Sequence, residues 1–264
     1  MVTAAEVPGW TVLGQLSDAS NATLLVEVDG VRHVYKPVAG ERPLWDFPDG
    51  TLGRREVAAS AVADLLGWPV VPPTRWVEEA PYGPGSLQRW ITAPGAGVQI
   101  FAAGQVPTGW VPVLRGEDEG DRPVEVAHRD SPAMLRMAVF DLVVNNADRK
   151  GGHLYEQADG SVQGVDHGLC FHADPKLRTV LWGFAGREIP EAMRVDLHRL
   201  AARWGKSAEG PAGAAGEVRE PLPGVTGLSE DEIEALSRRV QALVDDPVLP
   251  PPVAGTRAIP WPPL

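Results

Sequence analysis

The polar side chains that could do chemistry concentrate in nine residues, Asn145 to His153. They read Asn-Asn-Ala-Asp-Arg-Lys-Gly-Gly-His and follow apolar residues at helical spacing, which predicts a loop directly after a helix. Asp166 comes thirteen positions after His153, and a predicted hairpin can bring it back beside Asp148. Two carboxylates held near an amide or imidazole suit a divalent cation that carries polyphosphate. One acid could then orient a hydroxyl nucleophile while the other holds the metal.

Lys36 and Glu56 form a second candidate pair upstream. Lys36 lies in a predicted strand, and Glu56 lies in the first turn of the predicted helix that follows it. A strand lysine paired with a helix glutamate is how kinases fix a cation on nucleotide phosphates. Taken singly, Lys36 could instead be an ordinary edge-strand lysine, and Glu56 a charge that favours the helix dipole. Asp148 and Arg149 could likewise be a surface ion pair that contributes little.

The N-terminal third is predicted to be an antiparallel sheet with one helix on its face. Its predicted strands are β-prone runs bounded by turn residues, at 23–28, 31–36, 74–77 and 86–92. Asp29-Gly30 joins the first two of these runs, and this dipeptide is typical of a type I′ hairpin turn. Apolar residues recur at helical spacing over 57–66, and Gly67 supplies the C-terminal cap.

The part that follows is predicted to be mainly helical. Ser131 is an N-cap with Pro132 at the first helical position, and Ser229 forms a capping box with Glu232. The predicted elements of this part are helices ending at Asn145, over 191–204 and up to Val244, and a hairpin of 153–156 with 162–171. Asp166 and Cys170 would then lie in a strand.

At these residues the sequence resembles the phosphatidylinositol 3-/4-kinase superfamily, and within it an actinobacterial-type branch near the type II phosphatidylinositol 4-kinases. More distantly, it resembles bacterial persistence-toxin serine kinases. The resemblance covers residues 10–200 and rests on motifs that occur in the same order: Tyr35-Lys36-Pro37, Glu56, Val71-Pro72-Pro73-Thr74, Gly85-Ser86-Leu87-Gln88, Asn146-Ala147-Asp148-Arg149 and Val165-Asp166-His167-Gly168-Leu169. It implies an α+β, two-lobed, protein-kinase-like fold. The implied parts are a nucleotide-binding sheet lobe at 1–95, a mainly helical catalytic lobe at 96–246 and a proline-rich tail at 247–264.

The resemblance also implies a role for each site residue. Lys36 would bind nucleotide phosphates and Glu56 would hold it. Asp148 would be the catalytic-loop acid and Asp166 the metal aspartate. The implied contacts to ATP are Ser20 and Asn21 in a loop over the phosphates, and Gln88 to Ile91 as the hinge that meets adenine. The implied activity is phosphoryl transfer from ATP to a hydroxyl, with Mg²⁺ or Mn²⁺.

Three positions depart from the superfamily pattern. Loop 17–21 lacks the glycines of protein kinases, and Lys150 stands where many relatives carry His. His153 stands five residues after Asp148, where the superfamily usually has Asn as the second metal ligand. A neutral imidazole favours softer metals, such as Mn²⁺ or Zn²⁺, over Mg²⁺. These departures support a second hypothesis, a pseudokinase that binds nucleotide or scaffolds with little turnover.

Two other interpretations of polar residues have weaker support. The triplet His128-Arg129-Asp130 spells the protein-kinase catalytic sequence, but it precedes a helix and no Asn follows five residues later. No common zinc-ligand spacing fits the candidate set His153, His167, Cys170 and His172.

The charge composition of the chain limits the classes of partner that it can bind. The 264 residues carry 24 Lys plus Arg against 35 Asp plus Glu, a net charge of -11. This balance argues against nucleic acid as a partner and against stable attachment to an anionic membrane. The chain also has no basic cluster, so we expect the acceptor to be a soluble protein or a small molecule rather than a lipid.

The expected compartment is the cytoplasm. The only cysteine, Cys170, excludes an internal disulfide framework and fits a reducing environment. No apolar run approaches the ~20 residues of a membrane span. The first basic residue is Arg32, so the basic start of a secretory signal is missing.

Prolines predict two irregular segments. Seven prolines fall within residues 247–264, which we call the proline-rich tail, and they remove the donors that a helix or inner strand needs. The tail is expected to be an extended strap or a loose end. Residues 206–227 are expected to form a long loop.

Overall fold

The computed structural model describes residues 5–16, 21–92, 95–205 and 222–264. The described part is a mixed α/β structure, with an antiparallel sheet lobe followed by a larger lobe of helices and short strands. Ser17 to Ser20 of the predicted phosphate loop lie outside the described residues, and so do residues 206–221 of the predicted long loop.

The sheet lobe has five antiparallel strands. They are β1 (Trp10–Gln15), β2 (Leu24–Val28), β3 (Val31–Pro37), β4 (Thr74–Val77) and β5 (Gly85–Arg89), in the order β1-β2-β3-β5-β4. Asp29 and Gly30 both have positive φ, 51° and 77°, and join β2 to β3 in the predicted hairpin. Because β3 lies between β2 and β5, the interpretation of Lys36 as an edge-strand residue is wrong.

The first helix, α1 (Leu52–Leu66), starts earlier than its apolar pattern predicts. The Glu41 carboxylate accepts hydrogen bonds from the backbone N–H groups of Leu52 and Gly53, at 3.3 and 2.9 Å, and so caps the helix from eleven residues upstream. Glu56 is therefore in the second turn of α1, and its predicted place in the first turn is wrong. Gly67 ends the helix with φ 72°, as predicted.

The larger lobe contains more strand than the sequence predicts. Beyond the sheet lobe the described strands are β6 (Gly95–Ala96), β7 (Val98–Ala102), β8 (Trp110–Glu117), β9 (Pro123–Arg129), β10 (Leu154–Glu156) and β11 (Val162–Gly164). They form two three-stranded sheets, with the orders β7-β9-β8 and β11-β10-β6. The expectation of a mainly helical second lobe is therefore only partly correct.

Three helices build the core of this lobe: α2 (Pro132–Val144), α3 (Glu191–Gly205) and α4 (Glu230–Asp245). The predicted caps are confirmed, because Ser131 accepts from the Met134 amide and Ser229 forms a capping box with Glu232. One hydrophobic cluster joins apolar residues of α1, such as Val62 and Leu66, to α2, α3 and α4. The helix of the sheet lobe is thus packed into the core of the larger lobe.

The predicted strand over 162–171 is wrong beyond Gly164, where β11 ends. Asp166 and Phe171 both take left-handed backbone conformations, with φ 61° and 69°, which a regular strand does not accommodate. Asp166 and Cys170 consequently lie in a loop and not in a strand. No helix in the described ranges is long and apolar enough to cross a membrane.

Candidate active site

Lys36 lies between two carboxylates. From β3 its Nζ atom contacts Glu56 Oε1 of α1, and it lies 2.8 Å from Asp166 Oδ1 of the loop after β11. Burial alone would lower the pKa of Lys36, but the carboxylates of Asp166 and Glu56 raise it above its ordinary value. The side chain is therefore a fixed cation at the junction of the two lobes.

Glu56 connects α1 to the Asp-His-Gly triplet through its second oxygen. Oε2 accepts a hydrogen bond of 2.9 Å from the backbone N–H of His167. The side chain of Glu56 is only 3% exposed, so this N–H and Lys36 satisfy a carboxylate that water hardly reaches. Asp166 is thereby held opposite Lys36 by the residue that follows it.

Asp166 and His153 are the candidate metal ligands. Asp166 Oδ2 lies 3.5 Å from His153 Nε2, close enough for both atoms to bind one cation through bonds of ~2.0–2.2 Å. Burial lowers the pKa of His153 to about 4 although Asp166 opposes this, so the imidazole is neutral near pH 7. Within the described ranges, there is no group of three or more His, Cys, Asp or Glu side chains that could hold a metal ion. A cation here would take its other ligands from phosphate and water, which suits Mg²⁺ or Mn²⁺.

Asp148 is a partly buried acid in the loop that follows α2. Its Oδ2 atom lies 3.3 Å from Lys150 Nζ, and its backbone N–H donates to Asn146 Oδ1 at 2.9 Å. Burial raises the pKa of Asp148, Lys150 opposes this rise, and the charge of Asp166 adds to it. The two aspartates thus influence each other electrostatically, and each has a basic residue beside it.

A fully buried ion pair supports this loop. Arg149 is completely inaccessible, and its Nη2 and Nε atoms lie 3.0 and 3.1 Å from Asp141 of α2. Asn146 donates to the same carboxylate at 3.1 Å, and Arg149 Nη1 donates to the Val165 carbonyl at 2.8 Å. Arg149 therefore connects the loop of Asp148 to the loop of Asp166. The alternative of a surface ion pair between Asp148 and Arg149 is wrong, because Arg149 points inward.

His167 connects the buried Arg149–Asp141 ion pair to Glu56. Its Nε2 atom lies 2.7 Å from Arg149 Nη2, and a guanidinium can only donate, so Nε2 is the acceptor. Burial lowers the pKa of His167 well below its ordinary value, so the neutral ring carries its proton on Nδ1, which is 4.0 Å from Glu56 Oε2. Because Nε2 is occupied by Arg149, His167 gives no support to the zinc interpretation. Burial also raises the pKa of the Cys170 thiol.

Sequence reasoning missed Asp141 and the partners of His167. Asp141 interrupts the apolar stripe of α2, and a lone carboxylate in such a stripe indicates a buried cationic partner. That signal was available in the sequence. The partner itself, Arg149, could not be identified before the loop was folded back onto the helix.

The predicted ATP-contacting residues lie in two parts of the sheet lobe. Asn21 accepts from the Arg42 amide through Oδ1 at 2.8 Å, and Ser20 lies outside the described residues. Gln88 is buried between β3 and β4 and donates to Thr74 Oγ1 at 2.9 Å, so its side chain is already bonded within the sheet. Ile91, which is half-buried, comes just after β5.

A pocket of about 340 Å³ lies beside the site, between β3 and α1. It is lined by residues from Val38 to Leu52, and its walls include Pro43, Leu44 and Phe47. The charged groups around Lys36 are not among its lining residues. This pocket, which Glu41, Arg42 and Asp49 also line, is therefore distinct from the charged site around Lys36.

The triplet His128-Arg129-Asp130 ends β9 and begins the turn into α2. Asp130 pairs with Arg187 at 2.6 and 2.7 Å, and His128 is buried against Phe184. These contacts explain the triplet by packing and by a surface ion pair.

The fold and the site define a mixed α/β protein in which an antiparallel sheet lobe supplies a lysine and the following lobe supplies two aspartates. The chain belongs to the family of Protein Rv2133c of Mycobacterium tuberculosis (strain ATCC 25618 / H37Rv). It is 46% identical to that protein over 267 residues, which cover 96% of this chain and 91% of the relative. No family model matches the sequence.

Among solved structures, the chain is similar to the Helicobacter pylori proinflammatory kinase CtkA. The TM-score is 0.41 at 12% identity, with 90% of this chain and 92% of that chain covered.

Proposed function

We propose that this protein is a kinase-like phosphotransferase that moves the γ-phosphate of ATP to a hydroxyl acceptor. The observation that carries the proposal is the position of Lys36, a partly buried cation held between Glu56 and Asp166. Phosphoryl transfer needs little covalent chemistry from the protein, and depends on positioning and charge stabilisation. A fixed cation beside an ionised aspartate provides both.

Each charged residue would have one task. Lys36 would bind phosphate oxygens of the nucleotide, and Glu56 would keep the ammonium group directed at them. Asp166 and His153 would hold Mg²⁺ or Mn²⁺, which would neutralise phosphate charge when bound. Asp148 would orient the acceptor hydroxyl and accept its proton, with Lys150 stabilising the nearby negative charge.

The nucleotide would lie between the sheet lobe and the loops of Asp148 and Asp166. Asn21 would contact the phosphates, and Ile91 would offer its backbone to adenine. Since the Gln88 side chain is bonded to Thr74, its contribution to the adenine site would come from its place in β5 rather than from its amide group.

The acceptor would be a soluble protein or a small molecule. The net charge of -11 disfavours an anionic lipid surface, and it disfavours nucleic acid for the same reason. We propose a cytoplasmic location, because a chain with a single cysteine has no internal disulfide framework and fits a reducing environment.

The second candidate function, a nucleotide-binding pseudokinase, is favoured by one observation. His153 stands in the place of the usual amide ligand, and its ring is already directed at the carboxylate of Asp166. Such a site could bind nucleotide and turn it over slowly.

Phosphate transfer from labelled ATP, measured in Mg²⁺ and in Mn²⁺, tests the proposal. We expect transfer by the native chain, and a loss of about 10²- to 10⁴-fold in Asp148→Asn. Asp130→Asn is the matched control, because Asp130 belongs to the triplet His128-Arg129-Asp130 and pairs only with Arg187 among the contacts described above. Nucleotide binding without transfer would favour the pseudokinase. Absence of both binding and transfer would overturn both functions.

A further inference from the structure

The proline-rich tail (residues 247–264) is attached to the larger lobe at three places. Near its start, Leu249 is buried and exchanges backbone hydrogen bonds with residues 186 and 187, at 2.8 and 2.9 Å. In the middle, the Ala258 carbonyl accepts from the Thr179 amide at 3.0 Å and from Trp182 Nε1 at 2.8 Å. At its end, the Pro263 carbonyl accepts from the Gly151 amide at 2.8 Å. The tail is thus an extended strap and not a loose end, the two forms that the sequence allowed.

The last attachment lies on the loop that carries the candidate catalytic acid. Gly151 lies between Asp148 and His153, and it is buried. A Cβ atom at this position would overlap Leu264 Cδ2 and would lie 3.0 Å from Val98 Cβ. The glycine therefore leaves room for Leu264, and the turn is clamped between β7 and the tail.

The middle attachment reaches the same loop through one intermediate segment. The Arg149 amide donates to the Arg178 carbonyl at 2.9 Å, and the Val180 amide donates to the Arg149 carbonyl at 3.2 Å. Thr179, between these two residues, donates to Ala258 of the tail. The loop that carries Asp148 is thus hydrogen-bonded to segment 178–180, and that segment is hydrogen-bonded to the tail.

Two consecutive glycines, Gly151 and Gly152, separate Lys150 from His153. Glycine loses more conformational freedom on ordering than any other residue, so this turn needs external contacts to stay in one conformation. Those contacts come from the tail and from Val98. The exposed character of the tail end, with Trp261 77% and Leu264 41% exposed, argues against a role in the hydrophobic core.

We propose that Pro263 and Leu264 are positioning residues, which hold the Gly151–His153 turn and so keep Asp148 and His153 in the geometry for phosphoryl transfer. This inference rests on the proposed function. Lys36 and Glu56 belong to β3 and α1, and their partners described above include no tail residue. Loss of the tail end therefore slows transfer, while the metal-independent affinity for nucleotide, which rests on Lys36, stays the same.

The experiment compares the full chain with a variant that lacks residues 261–264. Hydrogen exchange at the amides of residues 149–153 is measured first, since it reports on the loop without any catalysis. Transfer rate and ATP affinity are then measured on the same samples. We expect faster exchange at 149–153, a transfer rate lower by about 10²-fold and an unchanged affinity for ATP in the absence of a divalent metal. Trp261→Ala is the matched control, because this side chain is exposed and the hydrogen bond to Gly151 comes from Pro263.

Point variants identify the contact itself. Leu264→Asp should reproduce the deletion, and Leu264→Met should retain native exchange and transfer, because it keeps an apolar side chain over Gly151. Gly151→Ala should displace Leu264, and the double variant Gly151→Ala with Leu264→Ala should recover part of the loss, because the two methyl groups share the vacated space.

The outcomes separate the two proposals. Native exchange at 149–153 in the deletion variant would overturn the positioning role, and so would an increased transfer rate. A native chain that transfers no phosphate would count against the proposed function alone. In that case faster exchange in the deletion variant and in Leu264→Asp, but not in Trp261→Ala, would still support the clamp on the turn.

Discussion

The Nζ atom of Lys36 lies 2.8 Å from Oδ1 of Asp166, although 130 positions separate them in the chain. Lys36 comes from the middle of the five-stranded sheet, and Asp166 comes from a loop of the following lobe. Their contact places a positively charged and a negatively charged group side by side at the junction of the lobes. A nucleotide with its metal would bind both partners of this ion pair, because phosphate needs the lysine and the metal needs the aspartate.

Replacing Lys36 with Met should weaken ATP binding and destabilise the fold together. The variant leaves Glu56 buried without its cation, and breaking a buried pair in this way costs about 3–5 kcal/mol. We expect the lower end of that range, because Lys36 is 21% exposed and Glu56 keeps the hydrogen bond from His167. Urea unfolding measures the change. The double variant Lys36→Met with Glu56→Gln should regain stability and not ATP binding; recovery of both would contradict the role of Lys36.

Asp166→Asn should abolish the metal-dependent part of nucleotide binding. The substitution removes the strongest anionic ligand of the candidate site and keeps its shape. Thermal shift with ATP, with and without Mg²⁺ or Mn²⁺, measures the effect. Asp159→Asn, at an exposed turn between β10 and β11, is the matched control. Metal-dependent stabilisation that persists in Asp166→Asn would remove Asp166 from the metal site.

His153→Asn should shift the metal preference toward Mg²⁺. An amide oxygen is a harder ligand than an imidazole nitrogen and suits Mg²⁺ better. The ratio of transfer rates in Mg²⁺ and Mn²⁺, with the ratio of ATP affinities beside it, is the measurement. If neither ratio moves, His153 acts by its contact with Asp166 and not as a metal ligand.

The pH dependence of transfer should show an acid limb above the ordinary range of an aspartate. Burial raises the pKa of Asp148, and transfer needs its ionised form, so the rate falls as pH drops through that pKa. Lys150→Met removes a cation that lowers this pKa and should move the limb to higher pH. Lys176→Met, which removes a lysine paired with Asp46, should leave it in place. A limb that does not move in Lys150→Met would contradict the assignment to Asp148.

Liposomes test the choice of acceptor. A basic residue close to an anionic bilayer contributes ~1 kcal/mol, and the sequence offers no cluster of such residues. We expect no sedimentation with vesicles that contain anionic lipid, and no labelled phosphatidylinositol phosphate from labelled ATP. Co-sedimentation together with that product would show a lipid acceptor.

Features that depend on neighbouring residues are predictable from the sequence. The Asp29-Gly30 hairpin, the caps at Ser131 and Ser229 and the glycine that ends α1 were all predictable, because turn and cap chemistry is local. The order of the motifs also indicated that Lys36 and Glu56 belong together, and their side chains are in contact.

Features that depend on residues far apart in the chain become visible in the folded protein. The start of α1 was missed because its cap, Glu41, lies in the preceding loop, and the sheet of β7, β8 and β9 was missed because its strands stabilise one another. The left-handed conformation of Asp166 goes with a hydrogen bond from the next residue to Glu56, far away in the sequence.

The same holds for the loop of the candidate acid. The sequence does not indicate whether Arg149 points to solvent or to Asp141. It also does not indicate whether the proline-rich tail is loose or contacts Gly151. A buried charge and a flexible glycine turn are each unfavourable alone. They are stabilised by groups that approach only when the chain is folded, so their arrangement is a property of the fold.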